Sequence, residues 1–233
     1  IAGIAVGTVS LPALSKAFKK RNLSKVSDIQ NKSIELSLLL SIPASFGLII
    51  AATEIVNGLF GYGSFTENDV QMTSKALIFF GYGIIAFALI KILANFFFAR
   101  DNTKTPFYVS SFIVILNVII SVSYFRSTGF IIIPIATSIS TWAGVFIYLY
   151  LLYKNNILIL QTKLFKNFFK IIVSSVLMSF ILIIFLNKYA NYLEYSSAYK
   201  SIYLLIIVGI VATVYLLSCY LLGLLKLRNY KTN

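Results

Sequence analysis

The sequence has no histidine, and its single cysteine, Cys219, lies inside an apolar run. That removes the usual zinc ligand, the usual general base and any disulfide framework. Acidic residues are scarce, seven Asp and Glu against 20 Lys and Arg, for a formal net charge of +13. No pair of carboxylates falls inside an apolar run, no nucleophile stands beside a base, and no metal-ligand spacing occurs, so the chemistry of an enzyme lacks its residues. Charge of either sign is sparse, at 12% of residues, where a soluble domain carries about 25%. In its place are 59% hydrophobic residues and a mean hydropathy of +0.89. Those values describe an all-α integral membrane protein, a polytopic helical bundle. The basic residues sit in short clusters between apolar runs, as in loops facing an anionic leaflet, and not in the continuous patch a nucleic acid would need.

Ile1–Leu14 is apolar but too short for a span, which takes about 20 residues, and reads as the truncated end of a transmembrane helix. The chain is therefore expected to be the C-terminal part of a longer protein. A basic loop at 15–35 follows, with Lys16, Lys19, Lys20, Arg21, Lys25 and Lys32. Six complete spans are expected near 36–56, 76–98, 107–125, 129–152, 168–187 and 202–225. The chain then divides into a four-helix part at 36–152, a loop at 153–167, a two-helix hairpin at 168–225 and a tail at 226–233. Placing the first loop in the cytoplasm puts fifteen Lys and Arg on that side against four outside, with Lys91 alone in the membrane. That asymmetry makes the tail cytoplasmic.

The turns carry local signals. Thr66-Glu67-Asn68-Asp69 reads as an N-cap with an acidic first turn. Thr105-Pro106 reads as a cap followed by proline at the first helical position. Gly58–Phe65 is glycine-rich, but without the lysine and strand of a phosphate cradle it reads as a plain turn. Pro43 and Pro134 fall inside spans, where they mark kinks.

The polar residues within the spans are the candidate functional ones. Lys91 is about 10 Å from the end of its helix at ~1.5 Å per residue. It either snorkels to the interface or faces an anionic substrate in a cavity, with Asn95 one turn on as a partner. Asn117 and Ser121 share a helix face, and Thr137, Ser138, Ser140 and Thr141 lie on the next helix. These groups tie the two helices or hold a Na⁺ ion, and the lack of a carboxylate favours the tie. The last two helices have apolar residues on every face, as lipid-facing padding or as the wall of an acyl-chain groove.

Four stretches resemble the MurJ/MviN family, the lipid II flippases of the MOP exporter superfamily. They are Gly7-Thr8-Val9-Ser10-Leu11-Pro12-Ala13-Leu14-Ser15, Leu59-Phe60-Gly61-Tyr62-Gly63-Ser64-Phe65-Thr66, Phe98-Ala99-Arg100-Asp101-Asn102-Thr103-Lys104-Thr105-Pro106 and Ala136-Thr137-Ser138-Ile139-Ser140-Thr141-Trp142. The third is the most specific, and it is one residue tighter between Arg and Asp than the family pattern. The resemblance implies the C-terminal lobe of a two-lobe transporter plus two extra C-terminal helices that edge a hydrophobic groove. It implies translocation of lipid II from the inner to the outer leaflet of the bacterial cytoplasmic membrane by alternating access, with the full-length chain working as a monomer. A polysaccharide or drug exporter of the same superfamily, or a non-transporting scaffold, is the alternative. No cofactor is implied; coupling to Na⁺ or to the membrane potential is. The family's cavity arginines lie in the half not present in this chain. Lys91, Asn95, Arg100, Asp101 and Lys104 are thus candidates for cavity lining or gating, and the fragment alone is not expected to transport.

Overall fold

The computed structural model describes residues 2–225, with side chains from Val6 onward. Ile1 and the expected cytoplasmic tail at 226–233 lie outside the described residues. The elements are α1 (Ala2–Lys19), α2 (Leu23–Ile50), α3 (Ala52–Phe60), α4 (Glu67–Phe98), α5 (Lys104–Thr128), a 3-10 turn (Gly129–Ile131), α6 (Ile132–Lys154), α7 (Thr162–Lys188), the short α8 (Ala190–Leu193) and α9 (Lys200–Leu221). Among the described residues, five segments are long and apolar enough to cross a membrane, and one of these, Lys104–Lys154, folds back on itself as the antiparallel pair α5–α6. The all-helical polytopic architecture follows the hydropathy.

Helix limits depart from the expectation in one consistent direction. The basic stretch expected as a loop at 15–35 is helical except for a turn at 20–22. Arg21 takes a left-handed φ of 51°, and the Asn22 and Arg21 amides bond back to the Ala17 and Phe18 carbonyls, which closes α1. Asn22 then accepts from the Lys25 amide at 3.0 Å and starts α2 at once. Charge density marked this stretch as a loop, but a helix carries lysines as readily once it leaves the bilayer. Likewise α4 begins at Glu67, nine residues before the expected span. Its 32 residues measure about 48 Å, longer than the ~30 Å hydrocarbon layer.

Two capping assignments are also settled. Thr66 and Asp69 form a reciprocal capping box, with the Thr66 amide donating to Asp69 at 2.8 Å. At α5 the cap is not Thr105: Asn102 Oδ1 accepts from the Thr105 amide at 3.1 Å, and Pro106 sits within the first turn. Pro134 likewise falls in the first turn of α6, where no amide is required, so it kinks nothing.

The bundle closes around α4. Gly81 and Gly83 let its neighbours approach: a Cβ at Gly81 would lie 2.6 Å from Ile49 of α2, and one at Gly83 would lie 2.6 Å from Ser138 of α6. Three donors cross to carbonyls of this stretch, Ser45 Oγ to Gly81 at 2.7 Å, Ser138 Oγ to Phe79 at 2.6 Å and Trp142 Nε1 to Tyr82 at 2.9 Å. Below them Ile92, Leu93, Phe96 and Phe97 are buried against α1 and α6, with Phe97 and Tyr148 ring centroids 5.7 Å apart.

Candidate functional site

The two-helix hairpin at 168–225, read either as padding or as a groove wall, forms one wall of a cavity. On the opposite side stand α2 and α3. The space is about 430 Å³, and Pro43, Ala51, Met178, Leu182, Val208 and Tyr215 are among the residues that line it. One polar contact crosses it for a reason visible in the backbone. Pro43 has no amide hydrogen, so the Leu39 carbonyl four residues earlier loses its helical donor. The Tyr215 hydroxyl of α9 donates to that carbonyl at 2.6 Å. The proline that weakens α2 thus creates the acceptor that fastens α9 to it.

Polar bonds also fasten the hairpin at both ends of the bundle. At the end carrying the basic clusters, the turn between α6 and α7 docks on the first turns of α2. Asn31 Nδ2 donates to the Ile159 carbonyl at 2.8 Å, its Oδ1 accepts from the Gln161 amide at 2.9 Å, and Gln30 Nε2 donates to the Ile157 carbonyl at 3.2 Å. Gln161 Nε2 reaches Asp28 at 2.7 Å. At the glycine-rich end, the turn after α3 meets the connector before α9. Asn57 Nδ2 donates to the Leu193 carbonyl at 2.8 Å, Ser201 Oγ to the Gly58 carbonyl at 2.6 Å and the Tyr195 hydroxyl to the Phe65 carbonyl at 2.6 Å. The Gly58–Phe65 turn is therefore one half of an interhelical joint. Lys200 is buried within that joint, at 1% exposure.

The residues singled out from sequence occupy three separate places. Lys91 is exposed on α4. Asn95, one turn later, does not reach into a shared cavity with it: Asn95 Nδ2 donates to the Gly7 carbonyl at 2.9 Å and ties α4 to α1. Arg100 stacks over the Phe18 ring at 4.6 Å, and partial burial there pushes its guanidinium below its ordinary pKa. Asp101 holds a left-handed φ of 58° in the turn that closes α4, and Lys104 opens α5 on the surface. The third place is on α5 and α6. Asn117 Nδ2 donates to Thr137 Oγ1 at 2.9 Å, and Thr137 Oγ1 donates in turn to the Ile133 carbonyl at 2.7 Å. The Ser121 hydroxyl is buried without a partner among the described residues.

Sequence reading missed Lys200, Asn31, Gln161 and Tyr215. Lys200 counted as one more flanking lysine, and Asn31 lay in a stretch read as loop. The available signals were local. Pro43 guarantees a free carbonyl within its span, and the tyrosine-rich stretch Tyr189–Tyr199 leads straight into Lys200.

The chain matches the family model described as lipid II flippase MurJ over residues 1–205. It is 34% identical over 193 residues to the probable lipid II flippase MurJ of Rickettsia prowazekii (strain Madrid E), an alignment covering 83% of this chain and 38% of that one. It is 31% identical over 238 residues to the probable lipid II flippase MurJ of Buchnera aphidicola subsp. Baizongia pistaciae (strain Bp), covering 99% and 46%. A solved structure of lipid II flippase MurJ in an inward closed conformation superposes with a TM-score of 0.75 at 27% identity, over 95% of this chain and 43% of that one. The chain spans less than half the length of these relatives.

Proposed function

The chain belongs to the MurJ family of lipid II flippases, and on that premise we propose that, within a full-length protein, it helps move lipid II from the inner to the outer leaflet of the bacterial cytoplasmic membrane. The observation that carries this reading is the groove between α2–α3 and α7–α9. Its walls are apolar, as a long hydrocarbon tail requires if it stays in lipid while its headgroup crosses. The headgroup is a pyrophosphate-linked sugar and peptide, so the matching protein chemistry is cationic. In this chain the exposed Lys91 and Lys104 and the Arg100 turn supply it as cavity-lining or gating groups, with Asn95 and Asp101 holding the backbone around them. The end with the basic clusters faces the cytoplasm, and the C-terminus lies on that side. One full-length copy is the working unit.

The driving force we assign to the membrane potential, worth roughly 2.3 kcal/mol per charge per 100 mV. Asn117 and Thr137 then act as a tie between α5 and α6. A Na⁺ ion beside Asn117, Ser121 and Thr137 is the second reading. The unpartnered Ser121 hydroxyl favours it, and the neutral donor set opposes it.

The test is expression of the full-length protein in cells depleted of their own lipid II flippase. Restored exposure of lipid II on the outer face, with restored growth, is the expected result. A protein that inserts well and exposes none would move the chain to an exporter or a scaffold.

A further inference from the structure

Lys200 is a cation sealed inside the protein. Its ammonium has three hydrogens, and three oxygens receive them: Asn57 Oδ1 at 3.1 Å, the Tyr195 carbonyl at 2.7 Å and the Gly61 carbonyl. None of the three is a carboxylate. The remaining solid angle is covered by the rings of Tyr62 and Tyr195, at 4.3 and 4.6 Å from the ammonium nitrogen. Those contacts come from three separate segments: the end of α3, the glycine-rich turn and the connector before α9. Two glycines make the approach fit. A Cβ at Gly61 would collide with Asn57 Oδ1, and one at Gly58 would lie 2.8 Å from Leu204 Cδ2. Ile55, two residues before Asn57 on α3, and Val208, eight residues after Lys200 on α9, line the groove.

We propose that Lys200 is a positioning residue that sets the width of the groove at its glycine-rich end. The joint it organises, the Tyr215–Leu39 bond at mid-depth and the Asn31–Gln161 dock at the other end hold α2–α3 and α7–α9 as one body. The groove is a slot of fixed width, and the hairpin does not open and close on α2–α3 during a transport cycle. The proposal rests on the flippase reading only for that consequence in transport; the geometry of the slot stands without it.

The test uses purified full-length protein in detergent, with Cys219→Ala to remove the native thiol of this chain and any upstream cysteines likewise replaced. A reporter thiol is placed by Ala51→Cys, a groove-wall position that is 2% exposed. A second reporter, Ala136→Cys, sits buried in α6 away from the joint. The readout is the rate of reaction with N-ethylmaleimide. Adding Lys200→Met is expected to raise the rate at position 51 roughly tenfold and to leave position 136 unchanged, as local opening predicts. If Lys200→Met does not fold, Tyr62→Leu removes one ring and leaves the three acceptors, with a smaller rise expected at position 51 alone. An unchanged rate at position 51, or equal acceleration at both positions, would overturn the proposal. Failure of the full-length protein with Lys200 intact to expose lipid II would instead count against the flippase reading, and the thiol rates would still decide this one.

Discussion

The molecule contains two apolar hairpins, α5–α6 and α7–α9, and they are held in opposite ways. In α5–α6 only one helix packs inward. Of the 25 residues of α5, only Pro106 and Val109 are buried, and its polar contact Asn117–Thr137 is internal to the hairpin. That hairpin reaches the bundle through α6. In α7–α9 both helices pack inward, and polar bonds to α2–α3 occur at three depths. Apolar area gives little adhesion between helices in lipid, because the tails are as apolar as leucine. What fixes one helix against another there is close approach at small residues and the few donors that meet orphaned acceptors. By that measure α7–α9 is fastened as a groove wall, while α5 presents its apolar faces outward.

The contrast sets an order of effects for substitutions in full-length protein, read as shifts in thermal stability in detergent. Lys200→Met should be the most damaging, on the order of 3 kcal/mol, because it strands three buried acceptors at once. A shift no larger than that of a surface lysine would remove the joint from the account. Asn31→Leu comes next, at roughly 1–2 kcal/mol for two lost bonds to the α6–α7 turn. Tyr215→Phe should cost about 1 kcal/mol by leaving the Leu39 carbonyl bare. Pro43→Ala restores the missing helical amide, so in that background Tyr215→Phe should become nearly neutral. A double-mutant cycle measures the difference, and strict additivity would contradict the role given to Pro43. Asn117→Val should be the mildest, near 0.6 kcal/mol, since it loosens a hairpin from itself and not from the bundle. If it matched Lys200→Met, the two hairpins would not differ as described.

Much of the fold was legible because hydropathy and caps are written along the chain. Thr66 and Asp69 close their box within four residues, and such signals survive without tertiary knowledge. The joints were not legible, for a specific reason. Lys200 and Gly61 are 139 positions apart, and Asn31 and Gln161 are 130 apart. Moreover, most of their partners are backbone groups, which every residue possesses and no sequence advertises. A lysine looks for a carboxylate in any reading by charge, and Lys200 found carbonyls and rings. The candidate list fared accordingly. Asn117 and Thr137, expected as members of one polar group on adjacent helices, do bond to each other, whereas Asn95, placed beside Lys91 on α4, bonds to α1 instead. Pro43 was read as a kink, and its consequence lies on another helix 172 positions away.

The most direct measurement is photocrosslinking of lipid II with a diazirine at the end of its prenyl tail, bound to the full-length protein and mapped by mass spectrometry. The account predicts adducts on groove residues such as Met178, Leu182 and Val208. Adducts concentrated on the exposed face of α5, around Phe112 and Ile119, with none in the groove, would contradict it.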